Sequence, residues 1–153
     1  MSESPDRVPR YRAGFVVDSV PHSEALQMLI VELGSGTALT KLPYNPALIG
    51  DPETRVLHGG AITSLLDSAC GIAVTSHPQK FGTIATLDLR IDYMKPAMPD
   101  LDVLAFTECY RITKAVAFVR GVAYHTDRDD PIAACTAVFM LGTAKTRAAK
   151  AAS

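Results

Sequence analysis

The longest regular pattern of apolar residues lies between positions 59 and 75. Apolar side chains recur there at intervals of three and four residues and form one broad face, which predicts an α-helix. Because the opposite stripe carries so little charge, we expect this helix to be buried rather than to lie on the surface. The sequence Ser-His-Pro at 76–78 ends it, since proline disfavours helical backbone at the residue before it. The apolar face comprises Ala61, Ile62, Leu65, Leu66, Ala69, Cys70, Ala73 and Val74, and the small or polar stripe comprises Gly60, Ser64, Asp67, Ser68, Gly71 and Thr75.

The second half of the chain has the pattern of antiparallel strands. From Thr86 to Met94 apolar and polar residues alternate strictly, which predicts a half-buried strand. This alternation places Leu89 and Tyr93 on one face and Thr86 on the other. Further strands are predicted at 101–112, 115–124 and 132–141, with a turn at 95–100 and a polar hairpin tip at 125–130.

The region before the helix is less regular. The apolar run at 25–32 fits either the end of a helix or a buried strand. A Gly-Ser-Gly turn at 34–36 then precedes a predicted strand at 37–42. Residues 43–57 contain three prolines and a glycine and predict a long ordered loop, of a kind that is often functional.

One long helix with five or six strands is typical of an α+β domain whose antiparallel sheet curls around the helix. The chain has 153 residues, of which 48% are hydrophobic, and this suffices for one domain with a substantial core. We therefore predict a single domain over 14–143, with flexible ends at 1–13 and 144–153.

Charge and cysteine usage exclude several classes of function. Fifteen Lys and Arg residues against 16 Asp and Glu give a net charge of −1, which argues against a nucleic-acid partner. No apolar run approaches the roughly 18 residues of a membrane span, and no secretory signal is visible. Cys70, Cys109 and Cys135 are widely spaced, which favours reduced thiols in a cytoplasmic protein. No residues have the spacing of a metal site, so no metal is expected.

Asp67 is the first candidate for chemistry. It lies in the middle of an apolar helix, where aspartate has poor propensity and where an unpaired buried carboxylate is costly. One interpretation is that it faces solvent or a Ser or Thr partner. The other is a carboxylate poised to act as a general base or nucleophile.

The sequence His58-Gly59-Gly60 is the second candidate. Two glycines at a helix start leave backbone N–H groups uncovered, and these groups with the helix dipole form an anion site. Directed at a carbonyl, they would form an oxyanion hole. The alternative is that the glycines only permit a tight turn into the helix. The remaining histidines, His22, His77 and His125, have turn-like polar neighbours and are expected to be ordinary surface or turn residues.

The spacing of the two candidates has a geometric consequence. Asp67 follows Gly59 by eight residues, which is about 12 Å along a helix axis at about 1.5 Å per residue. One chain therefore cannot bring the carboxylate to a carbonyl held at its own helix start. Two such helices packed antiparallel across a two-fold axis would do so, and Gly60, Ser64 and Gly71 are small enough to allow close approach. We expect a site shared between two subunits of a homodimer.

The sequence resembles the hotdog-fold acyl-CoA thioesterases of the PaaI-like family. The resemblance rests on Leu-His-Gly-Gly at 57–60 followed by Leu-Asp at 66–67, and on Tyr93-Met94-Lys95-Pro96-Ala97 at the end of an alternating strand. It covers about residues 25–142. It implies a hotdog fold, in which an antiparallel sheet of five or six strands wraps around one long central helix.

The resemblance also implies roles for four residues. In that family the acid attacks the thioester carbonyl or activates water, a role that falls here on Asp67. The N–H of the first glycine, here Gly59, polarises the thioester oxygen, and His58 helps to orient the substrate and the loop. Thr86 matches the Ser or Thr that helps to hold the water. In the family these residues come from two subunits, in agreement with the axial distance above.

The expected substrate contacts depart from the family pattern in the long loop. Many relatives carry an asparagine about six residues before the histidine; here Asp51 lies near that place and Asn45 lies further back, so either could substitute, or neither. Lys95 is the best candidate for the coenzyme A phosphates. Gly60 and Ser64 complete the predicted substrate-binding set.

The function that this resemblance implies is hydrolysis of an acyl-CoA, with a medium-chain or aromatic acyl group, to the free acid and coenzyme A. Coenzyme A is then part of the substrate and no cofactor is expected. A non-catalytic acyl-CoA-binding hotdog module is the alternative, although binding alone needs no acid at Asp67. A hotdog hydratase or dehydratase is a third possibility, but no histidine accompanies Asp67. Exposed sheet edges and a shared site favour a homo-oligomer, either a dimer or a dimer of dimers.

Overall fold

The computed structural model describes residues 20–79 and 82–142. In this part of the chain six antiparallel strands form one sheet, in the order β1-β2-β4-β5-β6-β3, with one long helix packed on its inner face. The predicted α+β hotdog arrangement is thus confirmed, whereas the predicted flexible ends, 1–13 and 144–153, lie outside the described residues. The elements are α1 (Pro21–Ala25), β1 (Leu29–Leu33), β2 (Thr37–Leu42), a 3-10 helix (Pro46–Leu48), α2 (Gly59–Thr75), β3 (Ile84–Tyr93), β4 (Val103–Ile112), β5 (Val116–Tyr124) and β6 (Ala133–Leu141).

Helix α2 begins and ends at the predicted residues, and all eight residues of its predicted apolar face are buried. The hydroxyl of Thr107 on β4 donates to the carbonyl oxygen of Ala69 at 2.9 Å and ties the helix to the sheet. The small stripe is only half-buried or exposed. Helix α2 is thus buried along its apolar face, whereas its small stripe is open in the single chain, because the sheet covers only one side of the helix.

The ambiguous run at 25–32 contains both structures that its pattern allowed. Helix α1 ends at Ala25 and strand β1 begins at Leu29. Gln27 between them has a φ of 56°, a left-handed conformation that stops the helix and redirects the chain. The N–H of Met28 then donates to the carbonyl oxygen of Ser23 at 2.9 Å and closes the turn.

Strand β3 contains an irregularity that the strict alternation of its sequence does not predict. Thr86 pairs with Phe139 of β6 and Asp88 pairs with Val138, so Leu87 is an extra residue without a partner on β6. This β-bulge changes the phase of the strand. Thr86 therefore lies on the same inner face as Leu89, and our assignment of these two residues to opposite faces is wrong.

The long loop at 43–57 is held by local contacts. The side-chain oxygen of Asn45 accepts from the N–H of Ala47 at 2.9 Å and caps the 3-10 helix. An isolated bridge joins Ile49 to Leu57, and the N–H of His58 donates to the carbonyl oxygen of Leu48 at 2.8 Å. The loop thereby holds the residue that directly precedes α2.

Candidate active site

The start of helix α2 presents one available backbone donor. Nδ1 of His58 accepts from the N–H of Gly60 at 2.8 Å, and the carbonyl oxygen of His58 accepts from the N–H of Ala61 at 3.0 Å. The N–H of Gly59, which precedes these two amides, donates to no atom of the described residues. A helix N-terminus with one unsatisfied N–H is suited to polarise a carbonyl oxygen or to hold an oxyanion.

Two glycines allow His58 to take this position. A Cβ on Gly50 would lie 2.8 Å from the Cα of His58, and a Cβ on Gly60 would lie 2.9 Å from its Nδ1. Larger residues at either position would displace the histidine. The N–H of Gly60 already donates to the ring of His58, so a contact between Gly60 and the substrate would not use this amide.

Tyr93 reaches the same helix start from the end of β3. Its hydroxyl donates to the carbonyl oxygen of Gly59 at 2.8 Å and lies 2.7 Å from Oγ1 of Thr63. A Cβ on Gly59 would be in ordinary van der Waals contact with the ring, at 3.6 Å from the hydroxyl. We did not predict this role from the sequence; the signal that could have pointed to it was a hydroxyl-bearing aromatic residue in the strand motif.

Asp67 lies on the small stripe of α2, outside the buried apolar face, and is itself half-buried. Oγ1 of Thr86 donates to Oδ1 of Asp67 at 2.9 Å. Asp67 therefore has both features of our first interpretation, which were partial exposure to solvent and a Ser or Thr partner. The second carboxylate oxygen has no partner among the described residues, which leaves it free to accept a proton from water or to contact a substrate.

The chain contains two half-sites, the first formed by Asp67 with Thr86 and the second by Gly59 with Tyr93. Asp67 and Gly59 are eight residues apart on one helix, about 12 Å along its axis. Thr86 and Tyr93 lie near opposite ends of β3. A single chain does not bring the two half-sites together.

Two cavities flank the start of α2. One of about 380 Å³ is lined by Gly59, Ile62, Tyr93, Lys95 and neighbouring residues, and it opens beside the Gly59 half-site. The other, of about 370 Å³, lies between α1, the long loop and α2 and is lined by apolar side chains such as Leu48. Both are large enough to hold part of an extended ligand.

His22 lines the second cavity. This residue is exposed, as we expected from the sequence, but its Nε2 lies 3.1 Å from Oγ of Ser64 on α2. Ser64 was one of the predicted substrate-binding residues, and it lines the same cavity. Sequence reasoning missed this pairing, because the two residues are 42 positions apart.

The predicted loop contacts are engaged within the loop itself. Asp51 accepts from the N–H of Glu53 at 3.0 Å and from Oγ1 of Thr54 at 2.7 Å, and these bonds, the hydroxyl first, lower the pKa of its carboxyl group. Asn45 caps the 3-10 helix, as described above. The substrate-binding roles of both residues stay predictions.

Lys95 lies at the rim of the cavity beside Gly59, and its ammonium group forms an ion pair with Asp130. Both side chains of this pair are partly open to solvent. A phosphate could replace the carboxylate as the partner of Lys95, since both present oxygen acceptors to the same ammonium group. The predicted role of Lys95 in binding coenzyme A stays a prediction.

The remaining features of the described residues give no sign of other chemistry. No group of three or more His, Cys, Asp or Glu side chains in this part of the chain could hold a metal ion. No helix within residues 20–79 and 82–142 is long and apolar enough to cross a bilayer.

Comparison with known proteins agrees with this architecture. The sequence model of the thioesterase superfamily matches residues 55–132. The Escherichia coli K12 protein named medium/long-chain acyl-CoA thioesterase YigI is 29% identical over 136 residues, which are 80% of this chain and 86% of that protein.

Solved structures with the same fold include proteins from two further bacteria. A Pseudomonas aeruginosa protein of known crystal structure is 42% identical, with a TM-score of 0.74 over 88% of this chain and 96% of that one. A mutant form of the phenylacetic acid degradation protein PaaI from Thermus thermophilus shares the fold at 23% identity, with a TM-score of 0.69 over 78% of this chain and 97% of that one. The match over half of the chain, together with the six-stranded sheet and its central helix, shows that this protein belongs to the thioesterase superfamily and is a hydrolase of thioesters.

Proposed function

We propose that the protein is an acyl-CoA thioesterase, which hydrolyses an acyl-CoA to the free acid and coenzyme A. The observation that carries the proposal is the pair of half-sites: an unpaired Gly59 N–H at a helix start and a half-buried Asp67 carboxylate held by Thr86. The name of the Escherichia coli relative, a medium/long-chain acyl-CoA thioesterase, supports a medium- or long-chain acyl group over an aromatic one. The 380 Å³ cavity beside Gly59 supports a substrate that extends away from the helix start.

In this mechanism the substrate carbonyl oxygen accepts the N–H of Gly59. A water molecule bound to the free carboxylate oxygen of Asp67 of the other subunit attacks the carbonyl carbon while that carboxylate takes its proton, and Thr86 holds the other carboxylate oxygen. The negative charge on the carbonyl oxygen is stabilised by the Gly59 N–H and by the helix dipole. The tetrahedral intermediate then expels the coenzyme A thiolate, which takes the proton from Asp67, and the free acid leaves.

Direct attack by Asp67 is the second route that this geometry allows. The carboxylate would then displace the coenzyme A thiolate from the acyl carbon and form a mixed anhydride, and water would hydrolyse that anhydride in a second step. Label in the Asp67 peptide after a single turnover in ¹⁸O-labelled water would identify this second route, because hydrolysis at the protein side of the anhydride leaves the water oxygen on Asp67. Direct attack by water puts the label in the product acid and never in Asp67.

The remaining predicted residues support substrate binding in this proposal. His58 holds the first turn of α2 so that its Gly59 N–H points outward, and Lys95 at the cavity rim binds the coenzyme A phosphates. Because Asp67 and Gly59 are about 12 Å apart within one chain, the active unit is a homodimer in which each site takes one residue from each subunit.

The test is the release of coenzyme A, followed with a free-thiol reagent across acyl-CoAs of short, medium, long and aromatic acyl groups. We expect turnover of medium-chain substrates and a fall of about 100-fold or more in the Asp67→Asn variant, which loses the general base. Asp129→Asn, on the exposed hairpin tip, is the matched control and should retain full activity.

A different outcome would favour the non-catalytic alternative. If no acyl-CoA is turned over but acyl-CoA binding is saturable and unaffected by Asp67→Asn, the protein is a binding module. Turnover that is unchanged in Asp67→Asn would also contradict the proposed mechanism, because another group would then have to activate the water.

A further inference from the structure

The connection between β3 and β4, residues 94–102, contributes residues 94–97, the cavity wall, to the cavity of about 380 Å³ beside Gly59. The first two N–H groups of this wall both donate to the carbonyl oxygen of Ile132, at 2.8 and 3.2 Å. Beyond them, in the described part of the chain, no backbone N–H of residues 96–101 donates to a backbone oxygen. Since the backbone does not fix this stretch, its shape depends on side chains from other elements.

His125 supplies two hydrogen bonds to this connection. Its Nε2 accepts from the N–H of Met98 at 2.9 Å, and its Nδ1 lies 2.8 Å from the carbonyl oxygen of Asp102. Met98 directly follows the cavity wall, whereas Asp102 directly precedes β4. His125 itself is half-buried and directly follows β5, so the sheet fixes its position. The sequence predicts only an ordinary surface or turn residue here, because the two partners are 27 and 23 positions away.

The two partners require one protonation state of the imidazole ring. A carbonyl oxygen only accepts hydrogen bonds, so Nδ1 must carry the proton, and an amide N–H only donates, so Nε2 must have a free lone pair. His125 is therefore a neutral histidine with its proton on Nδ1. Each ring nitrogen has one partner, and the two bonds can be separated by substitution. An asparagine amide replaces the donor at Nδ1, and a glutamine carbonyl oxygen replaces the acceptor at Nε2.

Other side chains also hold the far end of the connection. Arg55 donates to both carboxylate oxygens of Asp100, at 3.1 and 2.8 Å. The N–H of Tyr44 donates to Oδ1 of Asp102 at 2.8 Å, and its hydroxyl donates to the carbonyl oxygen of Arg55 at 3.1 Å. These contacts hold Asp102 in place even without the bond from the histidine Nδ1. Among the described residues the Met98 bond has no such substitute, so it determines where the cavity wall ends.

We infer that His125 is a positioning residue for coenzyme A, which holds the cavity wall through Met98 and thereby directs the ammonium group of Lys95 at the substrate phosphates. The inference rests on the proposed function, in which Lys95 binds these phosphates. Lys95 lies within the cavity wall, three positions before Met98. A wall that is displaced at Met98 would therefore carry the ammonium group away from its place at the cavity rim.

The ion pair of Lys95 explains why a second restraint is needed. Its ammonium group pairs with Asp130, which lies in the same connection between β5 and β6 as His125. A phosphate that binds Lys95 replaces Asp130 as the partner of the ammonium group, and this restraint on the wall is then lost. The bond from Met98 to His125 does not involve the ammonium group and persists when the phosphate is bound. The wall thus stays in place in the complex, and less ordering is needed on binding.

Two substitutions separate this positioning role from a purely structural one. His125→Gln retains the acceptor for Met98, whereas His125→Asn retains only the donor to Asp102. We expect His125→Asn to raise KM for acyl-CoA about fivefold at unchanged kcat, and His125→Gln to remain within about twofold of the wild type. Each variant loses one hydrogen bond, so a purely structural role would affect both, and thermal unfolding checks that both are folded. His77→Asn, beyond the far end of α2, is the matched control and should leave KM unchanged.

A double variant tests whether His125 acts through Lys95. If it does, His125→Asn combined with Lys95→Ala should have the KM of Lys95→Ala alone, because the ammonium group that the wall positions is then absent. The dissociation constant of coenzyme A itself, measured by isothermal titration calorimetry, should follow the same order among these proteins. This measurement requires no turnover and is therefore independent of catalysis.

The outcomes separate this inference from the proposed function. An equal KM for His125→Asn and His125→Gln would overturn the inference, and so would additive effects in the double variant. A wild type that hydrolyses no acyl-CoA would contradict the proposed function, and the dissociation constants of coenzyme A would then decide the inference alone. Weaker binding by His125→Asn than by His125→Gln would support it. Equal binding by the two variants, or no binding of coenzyme A by the wild type, would overturn it.

Discussion

The hydroxyl of Tyr93 donates a 2.8 Å hydrogen bond to the carbonyl oxygen of Gly59, although the two residues are 34 positions apart. The peptide group between Gly59 and Gly60 is thereby held at both ends, since its N–H donates to Nδ1 of His58. The neighbouring N–H, that of Gly59, is the one without a partner in the described part of the chain. Tyr93 therefore holds in place the turn that carries the proposed oxyanion donor.

We predict that Tyr93→Phe lowers kcat about tenfold and leaves KM nearly unchanged. The variant removes one hydrogen bond of about 1–1.5 kcal/mol and keeps the ring that packs on Gly59. The measurement is steady-state coenzyme A release with both parameters resolved. Tyr110→Phe, an exposed tyrosine on the outer face of the sheet, is the matched control. An unchanged kcat, or a rise in KM alone, would show that Tyr93 does not position the amide.

The hydrogen bond between Thr86 and Asp67 can be tested by two substitutions at Thr86. Thr86→Val keeps the shape of the side chain but removes the hydroxyl that donates to Asp67 at 2.9 Å. We expect kcat to fall about tenfold, while Thr86→Ser, which retains the hydroxyl, should keep most of the activity. Thermal unfolding should be similar for both variants, because the residue is exposed in the single chain. Equal activity of the two variants would exclude a role for the hydroxyl.

Lys95 is predicted to bind coenzyme A phosphates. We expect Lys95→Ala to raise KM for acyl-CoA severalfold without changing kcat, since a contact with the phosphates contributes equally to the bound substrate and to the transition state. A short substrate without the nucleotide, such as an acyl-pantetheine, should not distinguish the variant from the wild type. Lys114→Ala, exposed between β4 and β5, is the control. Equal loss of activity on both substrates would assign Lys95 a structural role through its ion pair with Asp130.

The buried thiols make the stability of the fold sensitive to alkaline pH. Sγ of Cys70 lies 3.7 Å from Sγ of Cys135, and this hydrogen bond, followed by burial, raises the pKa of the Cys70 thiol well above its ordinary value of 9.0. Because the folded state favours the neutral thiol, its contribution to stability is complete below the pKa of the unfolded chain. It is lost as the pH rises from there towards the raised folded value.

Urea unfolding at about pH 7 and about pH 10 measures this effect. We expect the free energy of unfolding of the wild type to fall more between the two pH values than that of Cys70→Ala, which lacks the thiol. Groups that do not contact Cys70 titrate alike in both proteins and cancel in the difference, whereas Cys135 loses its hydrogen-bond partner in the variant. The same pH dependence in both proteins would show that Cys70 does not contribute. At neutral pH the thiol should also fail to react with the thiol reagent of the activity assay until the protein is unfolded.

The local patterns of the sequence were sufficient for the main elements. The repeat of apolar residues along 59–75 predicted both the bounds and the buried face of α2, because helical periodicity depends on neighbours three and four residues away. The motif around His58 and the isolated Asp67 indicated the two candidate groups, and the helical rise showed that one chain keeps them apart. The α+β class followed from the order of the elements.

The tertiary structure decided how these groups are held. The bulge at Leu87 depends on pairing with β6, so strict alternation in the sequence placed Thr86 on the wrong face. The bond from Tyr93 to Gly59 and the contact of His22 with Ser64 join positions 34 and 42 residues apart. A sequence pattern reports which face a residue prefers within its own element; which residue it meets across the fold depends on register and packing, and these are set only when the strands and the helix come together.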